Sequence, residues 1–214
     1  SDIFVGRCRA FRELAVSELA RSHGIPTAEI VVAVRKNVWG PVHRSAVFMK
    51  EIPGAVDVLT YLTELSAHTD ARTIRDKRVA IQAAARAVRA AHDSGLYHAD
   101  LQLKNILVRA DAPNELSIID LDKARWYERM PDILRKMNLL RLRRSASKAV
   151  RSGISISRTD ALRFLKSYVG PDDPVSLRSY WHARCLKPLY RVKWWLSDML
   201  HLSAETRANE GAMR

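Results

Sequence analysis

Apolar positions first recur at helical spacing in residues 7–23, where Phe11, Leu14, Ala15 and Leu19 share a face. Gly24 offers a carboxy-terminal cap and Pro26 blocks continuation, so one helix is predicted there. Residues 29–35 and 44–49 then read as two strands joined through a Gly40-Pro41 turn. Residues 50–54 break the strand pattern as a connector, and a helix is expected from 56 to about 65. Residues 73–92 are rich in Ala and Arg, carry Ile74, Val79, Ala83 and Val88, and run to Gly95, which predicts a long helix. Ile106-Leu107-Val108 and residues 116–119 flank Asp111-Ala112-Pro113-Asn114 and predict a hairpin. From Pro131 onward the pattern is mostly helical. Its clearest case starts at Ser157, with Asp160 three residues on, runs through Leu162, Leu165 and Tyr168, and stops at Gly170-Pro171. Helices around a small hairpin make an α-dominated α+β chain.

Composition sharpens this only in part. With 214 residues, 47% apolar and 28% charged, the chain suits one globular domain or a two-lobed fold. The longest wholly apolar run is Ile30-Val31-Val32-Ala33-Val34, far short of the roughly 20 residues a membrane span needs. No secretory signal is visible. Cys8 and Cys185 stand apart without a CxxC partner, which argues against a disulfide scaffold or zinc ribbon and for a reducing cytoplasm.

Charge changes the picture more. Residues 1–122 carry 16 Lys/Arg against 15 Asp/Glu, whereas residues 123–214 carry 20 against 8. A balanced half beside a strongly basic half points to an anionic partner. Nucleic acid ranks last among such partners, because no recognised binding motif accompanies the charge.

The candidate chemistry lies between the long helix and the hairpin, in Tyr97-His98-Ala99-Asp100-Leu101-Gln102-Leu103-Lys104-Asn105, followed by Ile119-Asp120-Leu121-Asp122. Asp100 and Asn105 fall on the loop, and Asp120 closes the second strand. The hairpin should gather these oxygens at one end, where Asn105 and Asp120 could ligate magnesium and Asp100 could face an acceptor hydroxyl. His98 would support the loop by hydrogen bonding. The pattern is that of kinases: His-x-Asp, an Asn five residues beyond the Asp, then an Asp after an apolar strand. A set of turn residues capping a hairpin is the plain alternative.

Within kinase-like folds the chain resembles the bacterial lipopolysaccharide kinases, which include the 3-deoxy-D-manno-octulosonic acid (Kdo) kinases and the core heptose kinases. The resemblance rests on Arg9-Ala10-Phe11-Arg12-Glu13, Gly24-Ile25-Pro26-Thr27, Tyr97-His98-Ala99-Asp100-Leu101, Asn105-Ile106-Leu107-Val108, residues 119–125 and Arg163-Phe164-Leu165-Lys166-Ser167-Tyr168. It implies ATP- and magnesium-dependent phosphorylation of a sugar hydroxyl on the lipopolysaccharide inner core, at the cytoplasmic face of the inner membrane. By position, Asp100 is the implied catalytic base, Asn105 and Asp120 the metal ligands, and His98, Glu13 and Lys104 supporting residues. Glu13 is the implied helix glutamate that orients a phosphate-binding lysine. Lys50, Glu51 and Ile52 stand where such folds place a nucleotide-binding hinge, although a plain interstrand loop reads equally well. The implied domains are a partial amino-terminal lobe over 1–53 and a helical carboxy-terminal lobe over 54–214.

Two departures matter. Eight glycines are spread so that no two lie within six residues of each other, so no glycine-rich phosphate loop is present. Lys36 and Lys50 follow the Glu13 helix, the wrong order for a phosphate lysine. The expectation is therefore a truncated amino-terminal lobe with no room for strands before that helix. A noncatalytic pseudokinase or scaffold stays open as an alternative, as does another small-molecule kinase of the aminoglycoside or choline type.

The basic half supplies candidate acceptor contacts. Eight Lys/Arg, Arg141, Arg143 and Arg144 among them, lie between residues 129 and 151 against the single acid Asp132. Such guanidinium groups suit a phosphorylated, carboxylated glycolipid acceptor such as a lipopolysaccharide core or lipid A precursor. A solvated helix face is the bland reading. Lys187-Pro188-Leu189-Tyr190-Arg191-Val192-Lys193-Trp194-Trp195-Leu196 mixes cations with aromatics and predicts peripheral docking on the inner membrane, or else aromatic core packing.

Overall fold

A computed structural model describes residues 3–5 and 8–170. The aromatic-basic stretch at 187–196 lies outside the described residues. The elements run β1 (Ile3–Val5), α1 (Arg9–Ser22), β2 (Ile30–Trp39), β3 (Val42–Met49), β4 (Ala55–Asp57), α2 (Val58–Ser66), α3 (Ala71–Asp93), β5 (Leu96–Tyr97), a 3-10 turn (Leu103–Asn105), β6 (Ile106–Arg109), β7 (Leu116–Ile118), β8 (Arg125–Trp126), α4 (Asp132–Arg151) and α5 (Arg158–Val169).

Three small sheets result. The first has the antiparallel order β1-β3-β2, the second β4-β6-β7, and the third pairs β5 with β8. β1 corrects the expectation that no strand precedes the Glu13 helix: Ile3 pairs with Arg44 and Val5 with Val42. Three residues are too few to show alternation, so only the edge of β3 reveals this strand. β4 likewise replaces the start of the helix expected from Val56. Val56 pairs with Val108, and Asp57 ends the strand by accepting the Thr60 N–H at 3.0 Å as the cap of α2.

One helix buries a face other than the one expected, and a second keeps Ala83 and Val88 buried as expected but not Ile74. In α1, Phe11 and Leu19 are exposed, and the buried positions are Ala10, Ser17 and Ala20. Small residues let α1 approach closely, and Ser17 Oγ–H donates to the Ala28 carbonyl at 3.0 Å. In α3, Ile74 is exposed, whereas Ala80, Ala83, Ala84, Ala87, Val88, Ala91 and His92 are buried. Alanine forms strong helix and permits tight packing, and α5 is the main partner of this face.

One core cluster joins Ala20 and Ile25 to Ala91, Leu96, Ile118, Leu121 and Ala124. It therefore ties the end of α1 to the end of α3 and to both sides of Asp120. Gly95 makes the turn into β5 at φ +94°, and a Cβ there would strike the Tyr127 carbonyl. The segment after α1 is stitched to the hairpin where Ile118 N–H donates to Pro26 O at 2.8 Å.

α5 starts as expected, with a capping box in which Ser157 Oγ accepts from Asp160 N at 3.1 Å and the Asp160 carboxylate accepts from Ser157 N at 3.0 Å. Lys77 reaches the same carboxylate at 2.8 Å from α3. Ser157→Ala should therefore lower stability by about 1 kcal/mol. Thermal unfolding should register this as a Tm drop of roughly 2–4 °C.

Candidate active site

The 98–105 loop is positioned from beneath by buried polar contacts. Asn138 on α4, fully buried, grips both backbone groups of His98: its Oδ1 accepts the His98 N–H at 3.2 Å and its Nδ2 donates to the His98 carbonyl at 2.8 Å. His92 at the end of α3 contacts the same Oδ1 through Nε2 at 3.2 Å, and its Nδ1 meets the Tyr168 hydroxyl of α5 at 2.7 Å. An amide oxygen can only accept, so Nε2 carries the proton and Tyr168 donates to Nδ1. About two turns further along α4, Ser145 Oγ accepts the Leu103 N–H at 3.2 Å. Three helices thus fix one loop.

The His98 side chain completes the loop from within. Asp100 N–H donates to Nδ1 at 3.2 Å, so Nε2–H must donate to the Ile119 carbonyl at 2.9 Å. His98 therefore links the loop to the residue before Asp120. Burial depresses its pKa, partly offset by the Ile119 carbonyl and the Asp120 and Asp100 carboxylates. Both histidines stay neutral, and burial pushes His92 down to about 4.

At the end of the hairpin the expected oxygens meet. Asn105 is buried, and its Nδ2 donates to the Asp100 carbonyl at 2.8 Å and lies 3.4 Å from Asp120 Oδ2. With Nδ2 so engaged, Oδ1 is the Asn105 atom on offer to a cation. Asp120 holds a left-handed backbone at φ 63°, the one positive φ among described non-glycine residues. Aspartate tolerates this region better than most residues, and such strain concentrates at functional sites. One carboxylate and one amide oxygen form a hard donor pair, which suits magnesium, an ion that draws its remaining ligands from water and phosphate. The Asp100 carboxylate is half-buried and accepts from Gln102 Nε2 at 2.5 Å.

α1 is tied to the segment after Asp120. Arg9 forms an ion pair with the buried Asp122, and Arg12 donates to the Ala124 carbonyl at 2.7 Å. These clamps bring Glu13 beside Asp120. Burial first, and the Asp120 charge second, raise the Glu13 pKa, while Arg9 lowers it.

The other expected residues are less concentrated. Arg141 lies on the α4 face between Asn138 and Ser145, and its charge disfavours protonation of His98. Arg143, Arg144 and Lys104 are exposed. Lys50 and Glu51 are exposed in the connector after β3, where Lys50 N–H donates to Glu29 O at 2.8 Å. Ile52 lines a cavity of about 370 Å³ together with Leu107 and Ser117 of the hairpin. Asp100, Asn105 and Asp120 do not line it. Sequence reasoning missed Asn138, Gln102, His92, Arg9 and Arg12. The Arg9-x-x-Arg12-Glu13 spacing was a usable signal, since i and i+3 share a helix face. Asn138 gave none.

A loop clamped between helices, delivering an aspartate, an asparagine and a second aspartate to one hairpin end beside a helix glutamate, defines a protein-kinase-like fold. The sequence model of the lipopolysaccharide kinase (Kdo/WaaP) family matches residues 2–168, and the chain belongs to that family. It is 28% identical over 163 residues to the 3-deoxy-D-manno-octulosonic acid kinase of Vibrio cholerae serotype O1, covering 76% of this chain and 63% of that protein. It is 32% identical over 136 residues to the lipopolysaccharide core heptose(I) kinase WaaP of Pseudomonas aeruginosa, covering 59% and 49%. The chain thus spans about half to two thirds of these relatives. Among solved structures, WaaP in complex with acyl carrier protein matches with a TM-score of 0.62 and 26% identity, over 85% of this chain and 76% of that one.

Two outcomes follow from the buried contacts. Asn138→Leu leaves the His98 N–H and carbonyl without partners, at about 1–3 kcal/mol each, so urea unfolding should show a loss of at least about 2 kcal/mol. The unfolded chain protonates His92 below about 6.5, whereas the folded chain does so only near 4. Stability should therefore fall as pH drops through this window, by up to about 3 kcal/mol, and His92→Gln should flatten that limb in urea midpoints measured against pH.

Proposed function

We propose that this chain carries the phosphoryl-transfer chemistry of a lipopolysaccharide inner-core kinase, moving the γ-phosphoryl group of ATP to a hydroxyl of Kdo or heptose. The observation that carries this reading is the meeting of Asp100, Asn105 and Asp120 at one hairpin end in a chain of this family. On this reading residues 1–53 form a partial amino-terminal lobe with Lys50, Glu51 and Ile52 as its hinge, and residues 54 onward carry the chemistry.

The steps follow from the positions of the side chains. Asp100, oriented by Gln102 and by the His98 contact to its own N–H, accepts the proton of the sugar hydroxyl as that oxygen bonds to phosphorus. The bond from phosphorus to the β–γ bridging oxygen breaks and ADP leaves. Asn105 Oδ1 and Asp120 would hold magnesium, which supplies charge neutralisation at the phosphates. Arg141, behind the loop, adds positive potential, and Arg143 and Arg144 extend it along α4 toward a phosphorylated, carboxylated glycolipid. Such an acceptor is anchored in a bilayer, so work at the cytoplasmic face of the inner membrane belongs to the same reading. Among the described residues no helix is long and apolar enough to cross a membrane.

A noncatalytic scaffold of the same fold would perform none of these steps. Calorimetric titration with ATP separates the two. The kinase reading expects magnesium-dependent binding that Asp120→Asn removes. Asp100→Asn should keep that binding while transfer to a Kdo-lipid A acceptor falls at least about 100-fold, the scale of a positioned general base. Unchanged transfer in Asp100→Asn would remove the base assignment.

A further inference from the structure

The hairpin of β2 and β3 stands apart from the chemistry described above. Between Glu29 and Glu51 the chain has no acid but carries Arg35, Lys36, Arg44 and Lys50. Among the described residues, seven of the thirteen exposed large apolar side chains lie on this hairpin: Val31, Val32, Val34, Val38, Trp39, Phe48 and Met49. Trp39, beside the Gly40-Pro41 tip, is 80% exposed and Phe48 is 58% exposed.

Register explains how this surface is built. Val32 pairs with Phe48, Val34 with Ala46 and Lys36 with Arg44, so alternation puts these six side chains on one sheet face, and all six are exposed. On the opposite face Ala33, Val47 and Ser45 are half-buried and His43 is buried, on the side where α1 packs. β1 takes the far edge of β3, which leaves β2 as an open edge. The open face thus grades from apolar pairs to a cation pair and then to the Val38-Trp39 tip. Like charges directly opposite each other destabilise a sheet, and neither Lys36 nor Arg44 forms an ion pair among the described residues. An anionic partner offsets that repulsion.

We infer that this open hairpin face is a docking surface for an anionic lipid bilayer, with Trp39 and Val38 entering the interface and Lys36 and Arg44 meeting headgroups. Tryptophan with basic residues and no acids is the chemistry of interfacial binding. The choice of a bilayer over an acidic protein rests on the glycolipid acceptor proposed above. Docking here brings a soluble hydroxyl-activating site to an acceptor that cannot leave the membrane.

Vesicle co-sedimentation tests this on the full chain, with phosphatidylglycerol-containing vesicles against phosphatidylcholine alone. Wild type should bind the anionic vesicles, and binding should weaken as salt rises. Val38→Ser/Trp39→Ser should cut the partition constant about tenfold. Lys36→Gln/Arg44→Gln should cut it roughly 25-fold, about fivefold per cation. All four positions are exposed, so Val38→Ser/Trp39→Ser should unfold near wild type and Lys36→Gln/Arg44→Gln, relieved of the cross-strand repulsion, at or slightly above it, while ATP titration reads the kinase proposal separately. The inference is overturned if folded hairpin variants bind like wild type, or if wild type ignores anionic vesicles. Loss confined to Trp194→Ser/Trp195→Ser would move docking to residues 187–196. Loss of self-association in light scattering, or of acyl carrier protein capture with vesicle binding intact, would assign the face to a protein partner instead.

Discussion

Asn138 occupies a position that most of the molecule is arranged to serve. It sits fully buried on α4, and its amide satisfies both backbone polar groups of His98 while also accepting from His92. Buried polar groups without partners are costly, so this network is stable only if every member is in place at once. That requirement couples Tyr168 on α5, His92 on α3 and Asn138 on α4 to the loop that carries Asp100. These hydrogen bonds fix how the three helices present the loop.

A second constraint acts from the other side. Arg9 and Arg12 fasten α1 to Asp122 and to the Ala124 carbonyl, so the residues flanking Asp120 are held at both ends: by the core through Ile118 and Leu121, and by these two guanidinium groups. The positive φ at Asp120 is a strained geometry maintained by this surrounding structure. The same clamp forces Glu13 toward Asp120, where burial and a like charge raise its pKa. Two carboxylates gathered there concentrate negative potential at the hairpin end. The site's electrostatics and its mechanics therefore have one origin.

On the proposed reading, the charge pattern divides the outside of the molecule by task. The basic face of α4 continues from the loop through Arg141, whereas the β2–β3 hairpin combines cations with exposed valines and Trp39. The first suits phosphate and carboxylate groups of an acceptor headgroup. The second suits the interface in which such an acceptor is embedded. An exposed apolar sheet edge is a liability for a protein that stays in water, and a lipid surface turns it into binding area.

Much of this was legible in the sequence. The helices carrying periodic or capped patterns, the β6–β7 hairpin and the convergence of Asp100, Asn105 and Asp120 all follow from local signals, because spacing and turn residues act over a few positions. Family membership followed from the same motifs. What the sequence left open were contacts between residues far apart in the chain. β1 and β4 are three-residue strands defined only by the edges they pair with, and the buried faces of α1 and α3 consist of small residues that hydrophobicity undervalues. Phe11, Leu19 and Ile74 looked like core and are exposed, because close helix approach needs Ala and Ser rather than bulk. Asn138 could not be singled out at all, since an asparagine in a basic helix is unremarkable until folding brings it within 3 Å of a backbone 40 residues away. Local propensity determined which elements form, and tertiary structure alone decided which polar groups must satisfy one another, because that requirement arises only once water has been excluded.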